Sequence, residues 1–177
     1  VTAPPATTGV GSQTFATRAG VFRRLAALLY EALIVCALVL IVGFALLPLV
    51  SPLHGDSLTV PALPARAFIF AVEFAILGFY FIFSWTRGRQ TLAQRTWKLR
   101  LVTRDNAPLS PRAALERYVA AWIGPSLATL AYSMLSPHGL GPHGAWLLAF
   151  NFLWAAIDPE RQFLHDRIAG TQVVTSV

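Results

Sequence analysis

Cysteine and charge are both scarce in this chain. Among 177 residues there is one cysteine, Cys36, and only 12% carry a formal charge. A single cysteine excludes an intramolecular disulfide, so cysteine usage does not reveal the redox compartment. Lying inside an apolar run, Cys36 reads as a small apolar side chain. A soluble domain would be roughly one quarter charged, so the shortage of charge excludes an ordinary soluble fold. Short catalytic signatures are also missing: there is no glycine-rich phosphate loop, HExxH, GxSxG or Cys/His framework. We therefore expect no enzyme and no cofactor. His138 and His143, in a Gly/Pro loop, are too few for a metal cage.

What the chain has is hydrophobic residues, 55% of the total, gathered in long blocks. That pattern predicts a multi-span membrane protein. The first span runs from about Leu25 to Leu47, roughly 34 Å, with Pro48 and Pro52 expected to end it. The second, from about Ala67 to Trp85, is roughly 28 Å and matches a hydrocarbon core. A third runs from about Tyr118 to Leu135, with a kink expected at Gly124-Pro125. The fourth, AWLLAFNFLWAAI, would be only roughly 20 Å as an α-helix and carries Asn151 at its middle. It could tilt little, thin the bilayer or be partly re-entrant. Trp85, Trp122 and Trp154 lie near predicted span ends and read as interface anchors.

The net charge of +6 matters less than where the cations lie. Arg18, Arg23 and Arg24 precede the first span, and eight basic residues lie between Arg87 and Arg117, whereas SPHGLGPHG has no Lys or Arg. The positive-inside rule places the N-terminus, the 86–117 connection and the C-terminus in the cytoplasm. Residues 1–17 are small and uncharged and are expected to be a disordered tail, leaving 18–177 as the membrane domain. The first apolar run is too long for a secretory signal core.

The basic connection has local structure of its own. QTLAQRTWK reads as a short amphipathic helix, LRLVT alternates as a strand, and RDNAP is a turn. Ser110-Pro111 is a helix start, Asp158-Pro159 repeats that signal, and Gly170 is a stop. TQVVT is a second strand, expected to pair with LRLVT. The predicted fold class is an all-α membrane protein: four transmembrane helices, amphipathic cytoplasmic segments and a small two-stranded β element.

Two carboxylates lie inside predicted spans. Glu31 is two turns into the first, on nearly the same face as Arg24 and about 10 Å from it along the axis. Arg24 is expected to snorkel to the headgroups, so Glu31 needs another partner or a proton. A charge at mid-span costs about 3 kcal/mol on insertion scales, which disfavours an idle one. Glu73 enters from the opposite side, so the two carboxylates are not expected to touch. They read either as stations of a proton or cation path, with Ser126, Thr129 and Asn151 nearby, or as interhelical packing contacts. His165 and Asp166, adjacent on a helix, are expected to face different directions. The cations of the 86–117 connection suit anionic lipid headgroups better than nucleic acid.

FRRLAALLYEALIV, TRGRQTLAQRTWKLRLVTRDNAPLS and DPERQFLHDRIAGTQVV together resemble the RDD family of bacterial membrane proteins, over about residues 18 to 176. Arg24 matches the family arginine, Glu31 stands where the first aspartate is usual, and Asp166 matches the second. Ala93 and Arg89 occupy positions where small residues are common. The resemblance implies a multi-pass protein of the bacterial inner membrane and, as the common supposition, transport. It also suggests that Arg24 and Asp166 pair at the cytoplasmic interface. The leading functional expectation is movement of a small solute or cation coupled to protonation of Glu31, with Glu73 and Asn151 as further candidates, in a homo-oligomer. The alternative is a non-transporting scaffold or assembly factor that binds anionic lipid or partner proteins through its basic loop.

Overall fold

The computed structural model describes residues 18–50 and 62–176, with no side-chain description at Val50. The predicted N-terminal tail and Pro52 lie outside these residues. Helix α1, Val21–Val50, carries Pro48 inside it, and α2 is Leu63–Trp85. Pro48 does not end α1, as the sequence had suggested. A proline removes one intrahelical bond, whereas unwinding the apolar last turn would free several backbone groups where water is scarce. Leu63-Pro64 opens α2 with a proline in the first turn, where its missing N–H costs nothing.

A layer of short elements follows. It comprises α3 (Leu92–Thr96), β1 (Leu99–Thr103), α4 (Pro111–Ala121) and α5 (Ile123–Leu135). Near the C-terminus lie α7 (Leu164–Ile168) and β2 (Thr171–Thr175), after a four-residue α6 (Phe150–Leu153). Strands β1 and β2 are antiparallel, with Leu101 opposite Val173, as their alternation predicts. Arg18 bridges to Val174 on the other edge of β2. The N-terminal segment, the 86–109 connection and the tail therefore meet at one end of the bundle, here termed the loop end. Ser110 caps α4 by accepting from Ala113 N–H at 3.2 Å, and Gly170 ends α7 with φ +61°.

Among the described residues, three helices are long and apolar enough to cross a membrane: Val21–Leu49, Leu63–Trp85 and the α4–α5 stretch Pro111–His138. The fourth predicted segment is no regular α-helix. Gly141–Ala149 and Trp154–Ala156 are 3₁₀-helical on either side of α6. The 3₁₀ rise of about 2.0 Å per residue stretches this segment to roughly 30 Å, enough to carry the chain back from the far end of α5. The path is fixed by glycines. A Cβ on Gly144 would lie 2.7 Å from Tyr132 N, and one on Gly124 would lie 2.9 Å from Leu148 O. These approaches join α5 and the return segment backbone to backbone.

Asn151 holds the same hairpin from inside. It is buried, and its Nδ2 donates to Ala121 O at 2.7 Å and Ala120 O at 3.3 Å. Pro125 has no N–H to offer the Ala121 carbonyl four residues before it, and the Asn151 amide takes its place. The break between α4 and α5 at Trp122 is thereby satisfied.

Two other expectations change. Asp158 does not start a helix: its Oδ2 accepts from Glu160 N–H and Gln162 N–H, each at 3.0 Å, and anchors a loop. Arg161 then turns left-handed at φ 52°, so α7 begins only at Leu164. Trp85 is buried beneath Arg117, and Trp122 packs edge-on against Phe70, so neither serves purely as an interface anchor.

Gly144→Ala should lower stability by about 1–3 kcal/mol, because backbone atoms must shift to admit the methyl group. Gly20→Ala, in open space, should change it by less than about 0.5 kcal/mol. Thermal unfolding of both variants in detergent tests the contact; equal melting temperatures would mean that the two backbones do not approach this closely.

Candidate functional site: a charged cluster at the loop end

Asp166 on α7 is the most deeply buried charge. Its Oδ1 accepts from Arg117 Nε of α4 at 2.8 Å, with side chains 1% and 9% exposed respectively. Thr171 Oγ1 donates to the same oxygen at 3.2 Å, and the Arg117 guanidinium lies 4.2 Å over the Trp85 ring. Burial by itself would push the Asp166 carboxyl up, but the surrounding cationic groups, Arg117 first and Arg24 among the rest, together with the Arg117 hydrogen bond outweigh it and hold the group below the usual carboxylate range. The expected direct pair between Arg24 and Asp166 gives way to this one. Arg117 enters from the third span and is closer.

His165 and Asp166 do not diverge: both are buried, with Nε2 and Oδ1 3.8 Å apart. Burial holds the His165 imidazole down to about 4, against the opposing pull of Asp166. It is neutral at pH 7.

Arg24 of α1 is 8% exposed and donates from Nη2 to the backbone carbonyl of Arg161 at 2.5 Å. Its guanidinium sits 4.8 Å from the centre of the Phe163 ring. Arg24 therefore reaches the tail, but through a neutral carbonyl and an aromatic face. Among the described residues its Nε has no hydrogen-bond partner and no carboxylate lies within ion-pair distance of it.

Glu31 finds its partners in two hydroxyls. Tyr80 of α2 donates to Oε1 at 2.8 Å and Thr91 donates to Oε2 at 2.6 Å. Thr91 also caps α3: its Oγ1 accepts from Gln94 N–H, and Gln94 Oε1 accepts from Thr91 N–H. That reciprocal box is written in the spacing Thr91-x-x-Gln94. Glu31 thus ties α1 to α2 and to the first turn of the basic connection.

Glu73 lies elsewhere. It faces α1 at Gly43, where an added Cβ would sit 3.4 Å from its Oε1, and it is seven residues from Tyr80, roughly 10 Å along α2. Ser126 and Thr129 are exposed, and Thr129 donates to Pro125 O. Asn151 serves the hairpin. Among the sequence candidates, the structure brings Arg24 and Glu31 to one cavity, and leaves Glu73 and Asn151 outside its wall. No three His, Cys, Asp or Glu side chains among the described residues are placed to hold a metal ion.

That cavity has a volume of about 470 Å³ and lies between α1, α2 and the α4–α5 stretch. Val35, Leu77, Phe81 and Trp122 line its apolar wall, and Arg24, Glu31 and Arg117 its loop end. A smaller polar pocket of about 220 Å³ opens beside it between Arg18, Arg24, Glu160 and Arg161. Arg24 and Val173 line both.

A model of the RDD family matches residues 18–170, from the N-terminal segment to the end of α7. The chain belongs to the RDD family. No curated protein and no solved structure matches it. The three positions singled out by the RDD resemblance, Arg24, Glu31 and Asp166, all serve the loop end. Arg24 and Glu31 line the cavity directly, and Asp166 positions Arg117, which also lines it. The matched span and its apolar helices make this RDD chain a membrane protein. Sequence reasoning missed Arg117, whose signal was a lone cation one residue before an apolar run.

Two outcomes check the cluster. Arg117→Ala should destabilise the fold by about 3–5 kcal/mol, because Asp166 would be left buried without a counter-charge. Arg117→Asp with Asp166→Arg should recover part of that loss, as read by detergent unfolding; a double variant no better than the singles would sink the pairing. The neutral His165 gives a separate pH signature. Its folded pKa lies below the unfolded value of about 6.5, so the unfolded chain binds the extra proton. Stability should fall as pH drops from about 6.5 to 4, by at most about 1.4 kcal/mol per pH unit. His165→Gln should flatten that window; unfolding midpoints measured from pH 7 to 4 decide it.

Proposed function

We propose that this RDD protein is a carrier of the bacterial inner membrane, with its loop end in the cytoplasm, that moves a small solute in exchange for protons taken up by Glu31. The observation that supports this reading is the cavity of about 470 Å³, whose mostly apolar wall also includes Glu31, Arg24 and Arg117. Cavities of a few hundred Å³ with a few convergent polar groups are typical of solute sites. Glu31 is also bonded to the basic connection through Thr91, so a change in its protonation acts on the segment that closes the chamber. The reading gives the chain no catalytic step. Three apolar helices and a return segment enclose little on their own, which favours a homo-oligomer.

One observation supports a scaffold instead. Arg87, Arg95, Lys98 and Arg100 are exposed at the loop end and make no ion pair among the described residues, beside the exposed Leu92 and Trp97. Such a surface suits an anionic lipid leaflet. The scaffold uses Glu31 only as a bond to Tyr80 and Thr91.

Proteoliposomes carrying a pH gradient separate the two readings. Solute-dependent dissipation, tested with Na⁺, K⁺, Li⁺ and small organic ions in turn, should fall at least about tenfold in Glu31→Gln. The variant should still elute as a folded species. Undiminished flux in Glu31→Gln would make Glu31 a packing contact, and absence of flux in the wild type would favour the scaffold.

A further inference from the structure

The charge balance around the two cavities points to the class of solute. The outer pocket is lined by Arg18, Arg24 and Arg161 against one acid, Glu160. That acid is already held by Arg18 at 3.0 Å and Arg167 at 3.1 Å. At the loop end of the inner cavity, Glu31 is held by two hydroxyls, and Arg117 is matched by Asp166. Of the buried arginines among the described residues, Arg24 alone makes no ion pair, and Asp166, already matched by Arg117, acts on it only from beyond ion-pair distance. It is more than nine-tenths buried, and among the described residues its Nε is unpartnered and its hydrogen bond goes to a neutral carbonyl. A guanidinium taken out of water without a counter-ion is a costly arrangement that an anion at Nε would relieve.

We propose that the two pockets form one site for an organic anion with an apolar body. Arg24 holds the charged group, and the body lies against Val35, Leu77 and Phe81. Arg24 stands where the two pockets join, so it is both anchor and partition. The bond from Nη2 to the Arg161 carbonyl closes the passage, and an incoming carboxylate or sulfonate competes for the same donor. The Arg161 backbone is left-handed at φ 52°, a conformation that side-chain-bearing residues adopt at a cost, so the closed form is held under strain. A metal cation is the wrong cargo for this entrance, because the pocket it would cross carries three arginines and one neutralised acid. This assignment deepens the carrier reading and rests on it for its transport meaning, but it concerns binding and is testable without flux.

The test uses the full chain in nanodiscs of phosphatidylcholine, titrated calorimetrically with hexanesulfonate, hexyltrimethylammonium and hexanol, with empty nanodiscs subtracted. Hexanesulfonate should bind at least about tenfold more tightly than the other two, as expected for one charge-assisted contact in a desolvated site. Arg24→Gln should abolish that preference and Arg24→Lys should keep part of it. Val35→Phe fills the apolar chamber without touching Arg24 and should weaken hexanesulfonate at least about tenfold. Equal binding of the cation or the alcohol by the wild type would overturn the proposal, as would a preference that survives Arg24→Gln or binding that survives Val35→Phe. Loss of hexanesulfonate binding on adding phosphatidylglycerol would assign the site to a lipid headgroup and overturn the solute assignment. A chain that binds hexanesulfonate but moves nothing in proteoliposomes would refute the carrier reading alone.

Discussion

The buried pair between Arg117 and Asp166 is the constraint on which the loop end depends. An ion at 1% exposure is tolerable only with its partner in place. That requirement fixes α7 against α4, and the Thr171 bond to the same carboxylate fixes the start of β2. Strand β2 in turn holds β1 on one edge and Arg18 on the other. The N-terminus of α1, and with it Arg24, is therefore located by a bond made between two later parts of the chain. A cluster assembled in this way has no local substitute, because each member comes from a different element.

Much of this was readable from residue types. LRLVT and TQVVT pair as their alternation predicts, Ser110 caps α4, and the first two apolar runs are helices. These signals are local: period, cap and stop need only a few neighbouring residues. The misreadings came where the partner was distant. Asp158-Pro159 looks like a helix start, and Asp158 does accept from the following N–H groups, but Arg161 turns the chain away. Arg24 and Asp166 looked like a pair because the family resemblance names both, whereas Arg117 was hidden at the edge of an apolar run. The identity of an ion pair depends on which helices pack, and charge spacing along a single chain does not report that.

The polar residues of the apolar blocks show the same division. Glu31 was the leading candidate on the sequence, with Glu73 and Asn151 as further ones, since each is a polar group in an apolar block. The structure gives them different tasks: Glu31 joins three elements at the cavity, Glu73 faces Gly43, and Asn151 replaces the donor that Pro125 lacks. Only the last task has a visible sequence counterpart, because a proline inside an apolar helix implies an unpartnered carbonyl one turn earlier. A buried amide elsewhere in the chain is the natural group to look for.

The stretched return segment bears on the order of folding. Wound throughout as an α-helix, Gly141–Ala156 would reach about 24 Å, short of the roughly 30 Å of its mixed 3₁₀ and α form. Its extended path is held by glycine contacts with α5 and by the Asn151 amide, neither of which exists until α5 is alongside. The segment thus owes its reach to contacts made with another part of the chain. It should take this form only after α5 has folded beside it.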